Sequence, residues 1–258
     1  MHPSSHRPKV TIVTACLNSE RYIKETIESV LAQTYPNIEY IVIDGQSTDS
    51  TPEIIRHYAE RLSYWVSEPD TGMYQAINKG IRRATGQIVA YLNSDDVYPA
   101  HAVEKAVETF ASHPGADAIY GDLDYIDDKS RILRRYRYPA FSYTCFVCMG
   151  YSSIPQPAAF WLASVHERVG FFDETLRMAA DFDFFARIGR SGKIIHVPDV
   201  LALHRRHGAT LTHTGSDVNR REVELVRQRY VPSHLRILQP LLGLAGTLRM
   251  KRLNLGGR

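Results

Sequence analysis

Four short stretches hold most of the residues able to do chemistry: Thr14-Ala-Cys-Leu-Asn18, Asp44-Gly-Gln-Ser-Thr-Asp49, Glu68-Pro-Asp-Thr-Gly72 and Asn93-Ser-Asp-Asp96. Each follows a short apolar run. Asp and Asn are common in turns, so one such stretch means little. Four in succession, each after a predicted strand, point to one shared site. The adjacent pair Asp95 and Asp96 suits a divalent cation, Mn2+ or Mg2+, between a carboxylate and a diphosphate. One carboxylate would hold the metal and the other bond a sugar hydroxyl. Asp44, ending its strand, suits a ribose hydroxyl or a base edge. Thr14 to Arg21 contains no glycine, so a dinucleotide fingerprint is absent, as is a P-loop. The pattern therefore points to a metal-bound nucleotide whose diphosphate is cleaved or displaced.

The elements that must position these residues alternate over the first 120 positions. Val10–Ala15, Tyr40–Asp44, Tyr64–Ser67, Ile88–Leu92 and Ala118–Gly121 read as strands. Between them, apolar residues recur at helical spacing. The faces are Ile23, Ile27, Val30 and Leu31, then Ile54, Ile55, Tyr58 and Leu62 behind a Thr51 cap, then Met73, Ile77 and Ile81, then Ala102, Val103, Ala106 and Phe110. This order predicts an α/β fold, a doubly wound and mostly parallel central sheet with helices on both faces. Crossovers should be right-handed, and ligands should sit outside the carboxyl ends of the strands.

The chain has 258 residues, room for one large domain and a tail. With 44% hydrophobic and 23% charged residues it is ordinary globular material, not disordered or coiled-coil sequence. From Leu201 onward there are 11 basic and 3 acidic residues, a charge of +8, which leaves −5 on residues 1–200. An acidic body with a basic tail argues against nucleic acid as partner and suits a tail that touches anionic lipid. Three cysteines make no disulfide framework, and Cys145 and Cys148 read as two half-buried thiols. The run Val10–Leu17 contains two threonines and leads into Asn18-Ser-Glu20, so it reads as a strand rather than a leader. Ile237–Leu248 is too short and interrupted for a membrane span.

The ordered motifs carry a resemblance. Val10-Thr-Ile-Val-Thr-Ala-Cys-Leu-Asn18, Ile43-Asp-Gly-Gln-Ser-Thr-Asp-Ser-Thr51, Ser67-Glu-Pro-Asp-Thr-Gly-Met-Tyr74 with Asn78-Lys-Gly80, and Tyr91-Leu-Asn-Ser-Asp-Asp96 together resemble the family 2 glycosyltransferases of GT-A fold. The likeness is specific over residues 9–125 and looser to about 212. It implies that Asp44 contacts the nucleotide, with Thr14 and Asn18 lining the same pocket and Lys79 nearby. Asp95 and Asp96 match the DxD-like element without a spacer. Asp96 would be the metal ligand and Asp95 a partner for ribose or donor sugar. Ile154-Pro-Gln-Pro-Ala-Ala-Phe-Trp161 resembles the segment before the acceptor site. Ala179-Ala-Asp-Phe-Asp183 resembles the motif that supplies the base, with Ala180 where relatives often carry Glu; Asp181 is then the base and Asp183 the second candidate. Leu203-His-Arg-Arg-His-Gly-Ala-Thr210 resembles the C-terminal Arg-x-His-Gly segment, with His207 on the metal or diphosphate and Arg205 on the diphosphate.

The resemblance implies a GT-A nucleotide-sugar-binding and catalytic domain over 1–214 and a basic helical tail over 215–258. It implies an inverting transfer from a nucleotide-diphosphate sugar to a saccharide or lipid-linked hydroxyl, in cell-surface polysaccharide or glycolipid synthesis. The expected location is cytoplasmic, peripheral at the cytoplasmic membrane face. In the tail, Val218, Val223, Leu225 and Val226 should be partly inward on a charged helix, and 235–255 suits a membrane interface, the body or a second subunit. The rival readings are a sugar-1-phosphate nucleotidyltransferase and a non-catalytic nucleotide-sugar-binding module. The first would open with a glycine-rich loop after strand one; the second would not keep Asp95, Asp96 and Asp181.

Overall fold

A computed structural model describes residues 7–149, 153–207 and 216–254. Residues 208–210 of the Arg-x-His-Gly segment, the 214/215 boundary and Leu255 lie outside the described residues. The first half follows the expected alternation: β1 (Val10–Cys16), α1 (Ile23–Leu31), β2 (Ile38–Asp44), α2 (Thr51–His57), β3 (Tyr64–Ser67), α3 (Met73–Arg83), β4 (Ile88–Tyr91), α4 (Ala102–Ser112) and β5 (Ala118–Ile126). Thr51, expected as the cap of α2, is its first helical residue. Asp49 Oδ1 accepts from the Thr51 N–H at 2.9 Å and does the capping work there.

Further along come β6 (Ile132–Tyr136), α5 (Tyr143–Met149), β7 (Ala159–Leu162), α6 (Val165–Val169), α7 (Ala180–Ser191), β8 (Ile194–Arg205), α8 (Ser216–Tyr230) and α9 (Gln239–Asn254). The sheet runs β3-β2-β1-β4-β7-β5-β6, with β8 on β5. The β1–β2, β1–β4, β2–β3 and β5–β8 pairs are parallel, while β7 and β6 run antiparallel to their neighbours. The sheet is thus mostly parallel but mixed.

Alternation along the strands sends side chains to two cores. Ile12 and Val42 pack with Ile23, Ile27, Ile55 and Val103 on one face. Val13, Ile41 and Ile43 pack with Ile77, Ile81, Phe146 and Phe184 on the other. Both faces are therefore covered, as a parallel sheet requires. Gly80 lets α3 lie directly on β1: a Cβ there would collide with the Val13 side chain. In α8, Val223 and Val226 enter the core, but Val218 and Leu225 are exposed, against expectation. Its charged face is simply wider than the valine spacing suggests. No helix among the described residues is long and apolar enough to cross a membrane.

Candidate active site

Parallel register aligns the strand ends. Cys16 pairs with Asp44, and Asp44 with Ser67, so three loops leave the sheet in one row. Asp44 is fully buried. Its Oδ1 accepts from the Ser47 hydroxyl at 2.5 Å and the Cys16 thiol at 3.6 Å; its Oδ2 accepts from the Ser67 hydroxyl at 2.5 Å and the Ser47 N–H at 3.1 Å. A carboxylate has about four lone-pair sites, and all are used. Asp44 therefore organises the row, and a nucleotide would meet it only by displacing a serine hydroxyl. Burial, reinforced by the Asp44 charge, pushes the Cys16 thiol well up and leaves it inert.

Two expected pocket residues are placed differently. Thr14 is fully buried and shares a hydrogen bond with the Tyr40 hydroxyl at 3.1 Å, because its position on β1 points it into the core rather than at the site. Lys79 is not a free cation: its ammonium lies 2.8 Å from Glu68 and 2.7 Å from Asp70, and donates to the Pro69 carbonyl. Asn18 is exposed at the rim with φ 49°, in the left-handed region that Asn tolerates. Its Oδ1 accepts from the Thr48 N–H at 2.9 Å and its own N–H donates to the Ser47 hydroxyl, joining loop one to loop two. Ser19 and Ser94 share a 2.8 Å hydrogen bond that joins loop one to the acidic loop.

In that acidic loop the two aspartates divide differently from expectation. The Asp96 side chain is 0% exposed; its Oδ1 accepts from His204 Nδ1 and the Arg205 N–H, both at 3.0 Å, and its Oδ2 from Asn93 Nδ2 at 3.0 Å. Asn93 also donates to Gln156, which donates to the Tyr91 carbonyl. Asp95 is the carboxylate that faces outward, 24% exposed, with His207 Nε2 at 2.9 Å. Burial and the neighbouring Asp96 charge raise its pKa, against the lowering effect of His207. Arg205, expected on the diphosphate, is 0% exposed. Its guanidinium donates to the Asp95 and Asp127 carbonyls, Ser130 and Glu25, and lies over the Tyr22 ring. With its donors engaged it holds the acidic loop from behind.

Asp181 lies in the first turn of α7, half-buried. Loss of water raises its pKa to about 6, against the lowering effect of its bond from the Phe182 N–H at 2.7 Å. It is not the helix cap; Ala179 is. Asp183, the second candidate, is buried and bound to Arg187, Arg229 and the Tyr230 hydroxyl, so it is structural. Tyr91, at the end of β4, is buried, and burial first and then neighbouring groups that include Tyr74, Asp181 and Asp96 hold its phenol well above the ordinary range.

Residues 11–169 match the family described as glycosyl transferase family 2. The chain belongs to glycosyl transferase family 2. An uncharacterised glycosyltransferase of Rickettsia prowazekii is 30% identical over 222 residues, covering 83% of this chain and 69% of that one. Among solved structures, the mannosyltransferase PcManGT of Pyrobaculum calidifontis, in complex with GDP-Man and Mn2+, superposes with a TM-score of 0.67 at 21% identity, covering 95% of this chain and 70% of that one. S. aureus TarS 1-349 in complex with UDP-GlcNAc gives a TM-score of 0.64 at 20% identity, over 81% of this chain and 61% of that one. These two establish the GT-A fold.

Within this glycosyltransferase, no group of three or more His, Cys, Asp or Glu is arranged to hold a metal ion among the described residues. Asp95 with His207 is a smaller donor set. It fits a cation that takes one or two protein ligands and completes its shell with phosphate oxygens. His204, Asn93, Gln156 and Ser67 stand inside the quoted motifs without a role of their own there; the folded register brings His204 and Asn93 to Asp96, Gln156 to Asn93 and Ser67 to Asp44.

Proposed function

We propose that the protein is an inverting glycosyltransferase that moves a sugar from a nucleotide-diphosphate donor to a saccharide or lipid-linked hydroxyl. The observation that carries this reading is the family match over residues 11–169; the base is assigned to Asp181, in the first turn of α7, where burial pushes the carboxyl up to about 6. A carboxylate at its ordinary pKa is a weak base; one near 6 is better matched to a neutral medium. Asp181 takes the proton of the acceptor hydroxyl. That oxygen bonds to the anomeric carbon as the bond to the diphosphate oxygen breaks on the opposite face. The electron pair leaves with the nucleoside diphosphate, and no covalent enzyme intermediate forms.

Asp95 and His207 would hold Mn2+ or Mg2+, which when bound neutralises charge on the departing diphosphate. Arg205, through the Asp95 carbonyl, fixes the loop that presents this pair. Ser47, Ser67 and Asp44 shape the nucleotide end. The donor complexes of PcManGT and TarS support a nucleotide-sugar as ligand. The excess of basic residues after position 200 supports contact with an anionic membrane surface, the cytoplasmic face being the one that offers nucleotide-sugars. The decisive experiment compares wild type with Asp181→Asn in nucleoside diphosphate release from UDP-GlcNAc and GDP-mannose. Turnover should fall ~10²–10⁴-fold with nucleotide affinity retained; full turnover in the variant removes Asp181 as base.

A further inference from the structure

Helix α7 opens without a cap of its own. Ala179 and Ala180 carry no side-chain acceptor, and the Asp181 carboxylate bonds only one residue ahead, to Phe182. A helix start has several N–H groups needing partners. Here the acceptor for the residues leading into the helix comes from far along the chain. Glu222 of α8, 8% exposed, takes the Arg177 N–H on both oxygens at 2.8 and 3.0 Å, the Met178 N–H at 2.7 Å and the Ala179 N–H at 3.1 Å. Three consecutive amides thus converge on one carboxylate. The Met178 carbonyl is held from the other side by the Tyr74 hydroxyl at 3.4 Å. One helical face further along α8, Val226 is buried, and Arg229 and Tyr230 reach Asp183 at 3.2 and 3.0 Å. α8 therefore grips the segment at 177–179 and again at 183, and Asp181 sits between the grips.

We infer that Glu222 is a positioning residue for the reaction, setting where the Asp181 carboxylate stands from a helix outside the matched family region. This rests on Asp181 being the base. A misplacement near 1 Å of a reacting group costs ~10²-fold in rate. A buried acceptor shared by three amides is suited to prevent that. Gln at this position keeps one acceptor oxygen but points donors at donors; Ala keeps none.

The experiment follows nucleoside diphosphate release from UDP-GlcNAc or GDP-mannose, whichever is turned over, with water standing in for the acceptor. Glu222→Gln should lower kcat ~10-fold and Glu222→Ala ~10²-fold, with donor KM unchanged. Glu224→Gln, on the exposed side of α8, should match wild type. On an Asp181→Asn background, Glu222→Ala should cost no further kcat, because the group it places is gone. An additive loss in that double variant, an unchanged kcat in a folded Glu222→Ala, or a KM rising in step with the fall in kcat overturns the inference and leaves the base intact. Full turnover by Asp181→Asn alone overturns both.

Discussion

Adjacent aspartates at the end of a buried strand have the same chemistry in sequence and different chemistry in the fold. Asp96 turns inward to three donors, whereas Asp95 turns outward to His207. Asp96→Asn strips a buried charge from His204 and the Arg205 amide, so it should destabilise by about 1–3 kcal/mol in urea unfolding. Asp95→Asn removes a carboxylate whose pKa burial and Asp96 raise, so it should not lower the unfolding midpoint at neutral pH. Turnover of the wild type should fall in EDTA and return with Mn2+ or Mg2+, and the Asp95 variant should lose that response; the reverse pattern would make Asp96 the ligand. Asp181 carries a second prediction at this scale. Its folded pKa, about 6, exceeds its unfolded value of 3.8. The native state therefore binds more protons between those values, and stability falls as pH rises through them. The acidic limb of kcat/KM should lie near pH 6. Asp181→Asn should unfold at a higher temperature than wild type at pH 8 and at the same temperature near pH 3, while lacking activity at both.

At the scale of elements, legibility tracks how regular the environment is. β1 to β5 and α1 to α4 show in the sequence because each is buried on one stripe or both faces, which imposes a period on the residues. Beyond residue 121 that constraint loosens. β6 is exposed along four of its five positions and reads Ile-Leu-Arg-Arg-Tyr, β7 has four residues, and β8 carries register shifts against β5. The site divides in the same way. The strand-end aspartates are legible from spacing, but the buried fate of Arg205 and Thr14 depends on partners tens of residues away. Asn78-Lys-Gly80 shows the difference within three residues. Its likeness to a family motif suggests ligand binding. In the fold, Asn78 exchanges hydrogen bonds with both the N–H and the carbonyl of Phe172, at 3.1 and 2.9 Å, and Gly80 seats α3 on β1. Asn78→Ala leaves both backbone groups of Phe172 without that partner. It should cost about 2–4 kcal/mol in urea unfolding, a loss that nucleotide binding would not restore in the manner expected of a ligand contact.

Along the chain the charge is uneven, −5 up to residue 200 and +8 beyond. α9 concentrates the consequence. One side packs on α5, where Gly246 lets it approach so closely that a Cβ would strike Met149. The opposite side exposes Leu241, Leu244 and Leu248, the first of them 65% exposed, with Ile237 in line before them and Arg249, Lys251 and Arg252 alongside. The helix is therefore apolar on two faces, which is why its sequence shows no single stripe. Three leucines pressed into a bilayer interface contribute about 1 kcal/mol each, less than full burial, and three cations near anionic lipid about 1 kcal/mol each. Together that is about 6 kcal/mol, a dissociation constant between micromolar and millimolar: reversible surface binding, not insertion. Half of it is electrostatic, so binding to vesicles containing phosphatidylserine should weaken with salt and be nearly absent on neutral vesicles. Replacing Leu241, Leu244 and Leu248 with serine should abolish flotation with vesicles while turnover of a soluble nucleotide-sugar persists. Flotation unchanged by those replacements would rule out α9 as the anchor. A wild type that sediments as a dimer, with the triple variant a monomer that floats as before, would assign the stripe to a second copy of the chain instead.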